Sequence, residues 1–249
     1  MNEQVVIDGQ FRGPPDSANG GYAAGLVAAH IDPDPAVEVT LRAPPPLDRP
    51  LEVIRTREGV ELRDGERTVA EGRIAPAPEL ELPAPVSLDQ AAEAREASPM
   101  QSRHPYPMCF VCGSDRRADG LGVTCGPVPG RERELVAAPW ETDDSMGDKT
   151  GNVRAELVWS VLDCPSGIAG MLVPGLGVAV LGRLTGLIHT PLRAGDDYVA
   201  IGWQIGLDGR KAQSATAILE REGGAVAVAS AIWIVLREQP APAGDAHEH

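Results

Sequence analysis

Gly13-Pro-Pro-Asp-Ser-Ala-Asn-Gly-Gly-Tyr-Ala-Ala-Gly-Leu26 is the stretch from which the fold is read. It opens in turn chemistry, passes through Asn19, a residue type that caps helices, and enters Tyr22 to Ile31, where a helix is predicted. From Tyr22 to Ala29 that helix is apolar all round, whereas a surface helix would show a polar face. It therefore needs a surface that wraps it. Four alternating segments follow and supply one, at Val37 to Arg42, Leu51 to Arg57, Val60 to Arg63 and Thr68 to Ile74, with a hairpin turn at Asp64-Gly65.

The same order recurs further on. Ala155 to Leu162 predicts a second apolar helix, followed by strands at Val178 to Ile188, Tyr198 to Leu207, Lys211 to Glu220 and Ala225 to Leu236. Pro46-Leu47 closes the first long strand of one half and Pro191-Leu192 that of the other, and Gly223-Gly224 turns the last hairpin as Asp64-Gly65 does. A short leading strand is expected near Gln10 to Arg12 or Leu135 to Ala138. The boundaries read as a domain over 1–76, a Pro/Ala-rich linker over 77–106 with at most one short polar helix, a second domain over 107–237, and a polar tail, 238–249, expected to be disordered.

Composition bounds the rest. The chain has 249 residues, 43% hydrophobic and 23% charged, with nine aromatics; all four tryptophans lie after residue 139, so the two cores are mainly aliphatic and differently filled. A net charge of -14 opposes nucleic acid and anionic lipid as partners. No apolar run reaches the roughly 18 residues of a membrane span. The opening Met1-Asn2-Glu3-Gln4 lacks a secretory layout, and a cytoplasmic location is expected.

Two copies of a buried helix followed by an antiparallel meander resemble the hotdog fold, and GPPDSANGGYAAGL with its Pro-Leu and Asp-Gly punctuation resembles hotdog acyl-CoA thioesterases fused in tandem. The resemblance implies an α+β double hotdog, two helix-on-sheet units paired through their sheet edges as an internal pseudo-dimer. Residues 154–163, Arg-Ala-Glu-Leu-Val-Trp-Ser-Val-Leu-Asp, match in length the H-G-G-x-x-x-x-L-A-D segment of the phenylacetyl-CoA type, which puts Asp163 on the catalytic acid. There Arg154, Ala155 and Glu156 replace H-G-G. In the first half Asn19-Gly20-Gly21 keeps that piece, and Ala28 stands where the acid would be. The resemblance thus implies one complete site, Gly21 with Asp163, and one dead one, Glu156 facing Ala28.

Thioester hydrolysis needs an N–H for the developing oxyanion, which a bare Gly21 amide at a helix start would give, and a carboxylate to activate water or attack. Asn19 is either a helix cap or a substrate contact, with Asp16 or Ser17 as the alternative cap; Glu156 either joins the chemistry or only suits the helix dipole. Gly20, Tyr22, Trp159 and Ala24 are the expected substrate-binding residues, with Trp159 reading as core ahead of substrate wall. Asp163 has its own alternative as a capping group on a helix broken by Pro165. His30 and His189 read as surface or core histidines, and the absence of an Asp-x-Asn-x-x-His motif disfavours a hydratase.

Cys109-Phe-Val-Cys112-Gly has the spacing of a zinc knuckle, with Cys125, His104 or Cys164 as further ligands, against the alternatives of a redox pair and of buried structural thiols. No other cofactor is called for. The expected partner is a small-molecule acyl thioester or a hydrophobic ligand, bound in a monomer or a homodimer of double hotdogs, with Arg116, Arg117, Arg131 and Arg133 as scattered candidates for a CoA phosphate. The competing function is non-hydrolytic: binding of a lipid or polyketide-like ligand, or guidance of its cyclisation or elimination.

Overall fold

The computed structural model describes residues 3–32, 36–116, 118–173 and 175–239; Arg117 and 240–249 of the expected tail lie outside them. The first half consists of β1 (Glu3–Val6), α1 (Gly20–Ala28), β2 (Ala36–Leu41), β3 (Pro50–Arg55), β4 (Val60–Asp64) and β5 (Arg67–Ala75). After α2 (Leu88–Glu96) and the short β6 (Gly126–Pro127) come β7 (Val136–Glu141), α3 (Ala155–Met171), β8 (Ala179–Ile188), β9 (Asp197–Asp208), β10 (Lys211–Leu219) and β11 (Ala225–Val235). All strands join one antiparallel sheet in the order β1-β3-β4-β5-β2-β8-β11-β10-β9-β7-β6. The order β1-β3-β4-β5-β2 is mirrored by β7-β9-β10-β11-β8, and the halves meet where Val37 to Thr40 pair with Arg183 to Gly186. This is a double hotdog, with both edge strands that would be left open inside a single unit covering each other.

The two helices lie against one face of this sheet and cross each other. Glycine permits the crossing: a Cβ on Gly21 would stand 2.5 Å from Asp163 Cβ and also strike the Trp159 carbonyl, and one on Gly25 would stand 2.7 Å from Glu156 Cα. Both helices are buried nearly all round, as their apolar sequences require. Period-2 alternation sorts the second half's strands between the faces: Val136, Ala138, Ala200 and Ile218 face the helices, while Ala137, Ile201, Ala217 and Leu219 join a separate apolar cluster on the other side.

Two local expectations are corrected, at the leading strand and at Pro165, and the short polar helix of the linker gains a packing role. The leading strand of the first half is Glu3–Val6, and Gly9–Phe11 is a 3₁₀ turn capped by Asp8. Residues 88–96 form a helix with a Ser87–Gln90 capping box, whose Ala91 and Ala94 are buried against the outer face of β6 and β7; this stretch therefore covers a sheet face that its polar composition concealed. Pro165 does not end α3, which runs on to Met171. It withholds one N–H from the helix, Ser166 N–H donates to Thr216 Oγ1 at 3.1 Å, and Ser166 Oγ donates to the Asp163 carbonyl at 2.8 Å. Sheet and helix side chains thus take over where the helical ladder is interrupted.

Candidate active site

The two helix starts are built alike. Asn19 and Arg154, the N-cap residues, share the same backbone angles (φ -58, ψ 133 and φ -55, ψ 132). Asn19 N–H donates to the Phe11 carbonyl and Arg154 N–H to that of Met146, in each case eight residues back and at the end of a 3₁₀ turn. Ala18 N–H reaches Pro45 O, just before Pro46-Leu47, and Val153 N–H reaches Leu192 O, so a similar tether lies at or beside the Pro-Leu punctuation in both halves.

At the Asn19 start the side chains converge. Asn19 Oδ1 accepts from Tyr22 N–H at 2.9 Å, capping α1, while its amide donates to Asp163 Oδ2 at 3.1 Å across the helix crossing. Gly21 N–H also donates to Asp163 Oδ2, at 2.9 Å. The amide read from sequence as bare is therefore occupied by the carboxylate, because the glycine that exposes it also lets α3 come within bonding distance. Asp163 is 2% exposed, and its Oδ1 is buried without a hydrogen-bond partner. Burial pushes its pKa up to about 7 against the opposing bonds from Gly21 and Asn19. Asn19 thus caps its helix while also holding the acid, and Asp163 does not cap a broken helix.

A cavity of about 470 Å³ opens beside this pair. Its wall combines both halves: Asn19, Gly20 and Leu41 from the first, Asp163, Ile168, Leu181 and Ile234 from the second, and His104, Cys109 and Cys112 from the intervening segment. Of the expected substrate-binding residues, Gly20 lines it. Tyr22, Ala24 and Trp159 do not: Tyr22 stacks on Phe11 with ring centroids 3.9 Å apart, Ala24 is fully buried core, and Trp159 packs on Gly186 and Gly25. Trp159 is thus in the core, as its apolar setting in the sequence favours.

The Arg154 start holds no such constellation. Arg154 makes no side-chain cap and lies 3.6 Å from Glu156 in an ion pair, both partly exposed. Tyr22 stands close enough to feel both charges; burial first, then Glu156, raises its pKa to about 12. Glu156 is placed with Arg154 and away from the cavity wall.

The segment between the halves carries what the sequence left unassigned. Cys109 and Cys112 lie on a tight turn closed by Gly113 N–H to Cys109 O, and Phe110 pins the turn edge-on to the rings of Phe11 and Tyr22. Cys164, the next residue after the acid, brings a third sulfur 3.9 Å from Cys109 Sγ. The Asn19 amide also lies 3.6 Å from Cys164 Sγ. Hydrogen bonds from Cys112 and Cys164 hold the Cys109 thiol well below its usual pKa, and burial pushes the His104 imidazole below its usual value. Cys125 is elsewhere, its thiol directed at Ala200 O at 3.8 Å. Spacing alone left Cys125, His104 and Cys164 open as further ligands, since only the fold brings residue 164 to residue 109. Two of the arginines proposed for CoA are structural: Arg116 bonds Asp119 and Gln10 O, and Arg131 bonds Ala84 O.

No protein-family model matches the chain, and no curated protein matches it. Solved structures do. A candidate thioesterase from Novosphingobium aromaticivorans is 13% identical, covering 94% of each chain with a TM-score of 0.61. A candidate thioesterase II from Thermobifida fusca is 18% identical, over 94% of this chain and 93% of its own, with a TM-score of 0.56. A tesB protein of Mycobacterium avium subsp. paratuberculosis is 17% identical, over 94% and 92%, with a TM-score of 0.56. Among the described residues no helix is long and apolar enough to cross a membrane. The chain has the double hotdog fold along nearly its whole length, the same fold as these solved proteins.

Proposed function

We propose that this protein hydrolyses a small-molecule acyl thioester, with Asp163 as its acid–base group. The reading is carried by one observation: a fully enclosed carboxylate, one oxygen unpartnered, stands in the wall of a mainly apolar cavity at the N-terminus of a helix. A carboxylate so placed is costly unless a ligand or water completes its bonding. The cavity has the size of a small-molecule site, about 300–1,000 Å³, and Leu41, Ile168, Leu181 and Ile234 suit an acyl chain.

In this mechanism water enters beside Asp163, which takes its proton as the oxygen attacks the thioester carbon; the sulfur leaves and is protonated in turn. Negative charge develops on the carbonyl oxygen near the positive end of α1. Protonation weakens the carboxyl as an acceptor, which releases the Gly21 N–H and the Asn19 amide to that oxygen at the moment it needs them. Asn19 is a positioning residue in the resting site and a donor during reaction. Glu156 has no part.

The resting bond from Gly21 to Asp163 favours a second reading. With that amide engaged, the carboxylate serves equally as a proton shuttle on a bound lipid or polyketide-like ligand, in a cyclisation or elimination that needs no oxyanion donor. A panel of acyl-CoAs with a thiol reagent separates the two. Thiol release that vanishes in Asp163→Ala supports hydrolysis; no release from any acyl thioester would discard it in favour of the non-hydrolytic reading.

A further inference from the structure

The geometry points to a zinc site formed by Cys109, Cys112 and Cys164, with the fourth coordination position open to the cavity. Tetrahedral zinc–thiolate bonds of about 2.3 Å place sulfurs about 3.8 Å apart. Here Cys109 and Cys112 are 3.5 Å apart, Cys109 and Cys164 are 3.9 Å apart, and all three sulfurs lie within 4.8 Å of one another. All three residues are buried, and all three line the cavity. Two sulfurs come from a knuckle-like turn, closed by Gly113 N–H to Cys109 O, and the third from the interrupted part of α3.

The surroundings suit thiolates. Three of them around a divalent ion carry one net negative charge, and two donors face it. The Asn19 amide lies 3.6 Å from Cys164 Sγ and 4.0 Å from Cys109 Sγ. His104 Nε2 is 3.2 Å from Cys112 Sγ, and its Nδ1 accepts the Tyr106 N–H at 2.9 Å, which fixes the proton of a neutral ring on Nε2. His104 is therefore a donor to the Cys112 sulfur and not a fourth ligand. Loading is a ligand exchange: three S–H bonds give up their protons to solvent, three Zn–S bonds form, and nothing is oxidised or reduced. The class of metal follows from soft thiolates in a tetrahedral arrangement. Substrate class does not enter this assignment, so it stands whether or not the cavity hydrolyses thioesters.

The test measures zinc in the full-length protein, grown with zinc and purified without chelators, beside Cys164→Ser and Cys125→Ser variants. About one equivalent per wild-type chain, retained in Cys125→Ser and lost in Cys164→Ser, is the expected result. Reduced, metal-stripped wild type titrated with Co(II) should develop thiolate-to-metal absorption of three-sulfur intensity. Loss of Cys164 should weaken Co(II) binding by more than the roughly 10–100-fold typical of removing an outer-shell partner. Wild type without metal and without Co(II)–thiolate absorption, or a Cys164→Ser variant that keeps its zinc, would overturn the site. If Cys164→Ser does not fold, the wild-type Co(II) spectrum decides, and an intensity of two sulfurs or fewer rejects the assignment.

Discussion

The two helix starts share a backbone and differ in everything attached to it. Both N-caps have the same dihedral angles and the same tether eight residues back, yet one start gathers an amide, a glycine N–H, an acid and a cavity, while the other holds an ion pair. The fold thus offers the position twice, and side-chain chemistry uses it once. Function on such a scaffold is argued from the site, since the architecture is common to both ends. The acid and its holders come from opposite halves, so neither half alone holds this constellation.

The largest expected consequence of this inequality is on turnover. Asp163→Ala should lower acyl-thioester hydrolysis by about a hundredfold or more, the scale of a lost acid–base group, with circular dichroism unchanged. Gly21→Ala should act first on stability. Its methyl would meet the Trp159 carbonyl and Asp163 Cβ, neither of which yields without moving a helix, so a loss of about 1–3 kcal/mol is expected in denaturant unfolding. Asn19→Ala removes the cap of α1, costing about 1 kcal/mol, and frees Asp163 from one of its two donors, so hydrolysis should fall as well, though by less than in Asp163→Ala. Glu156→Gln at the other start should shift stability by no more than about 0–1 kcal/mol, as for a partly exposed ion pair, and leave hydrolysis near the wild-type rate. A large loss of turnover in Glu156→Gln would erase the distinction between the ends.

What the sequence disclosed was whatever local pattern determines. Period-2 alternation in four segments per half, and two helices apolar on every side, give the element order and hence the fold, because each feature is settled by the residues within it. The acid was legible through its place in a motif-length segment. Relations across the fold were not. The bond from Gly21 to Asp163 depends on how closely two helices cross, which a glycine allows and does not announce. Cys164 joins Cys109 only because α3 passes under the loop, 55 residues away in sequence. Pro165 read as a helix stop because the groups that compensate it, Ser166 and Thr216, lie on different elements. The short polar helix α2 was legible, but not the sheet face it covers, because Ala91, Ala94 and Leu88 present little apolar surface. The lining of the cavity was not legible for a related reason: Tyr22, next to Gly21, and Trp159, four residues before Asp163, point into the core, and the cavity draws on residues from β8 and β11 instead.

The claim that one end alone is the site is tested most directly by a crystal structure of Asp163→Asn grown with an acyl-CoA. One acyl group per chain is expected, its thioester beside residue 163 and its chain along Leu181 and Ile168. An acyl group seated beside Glu156 and Arg154, or one at each end, would contradict the account.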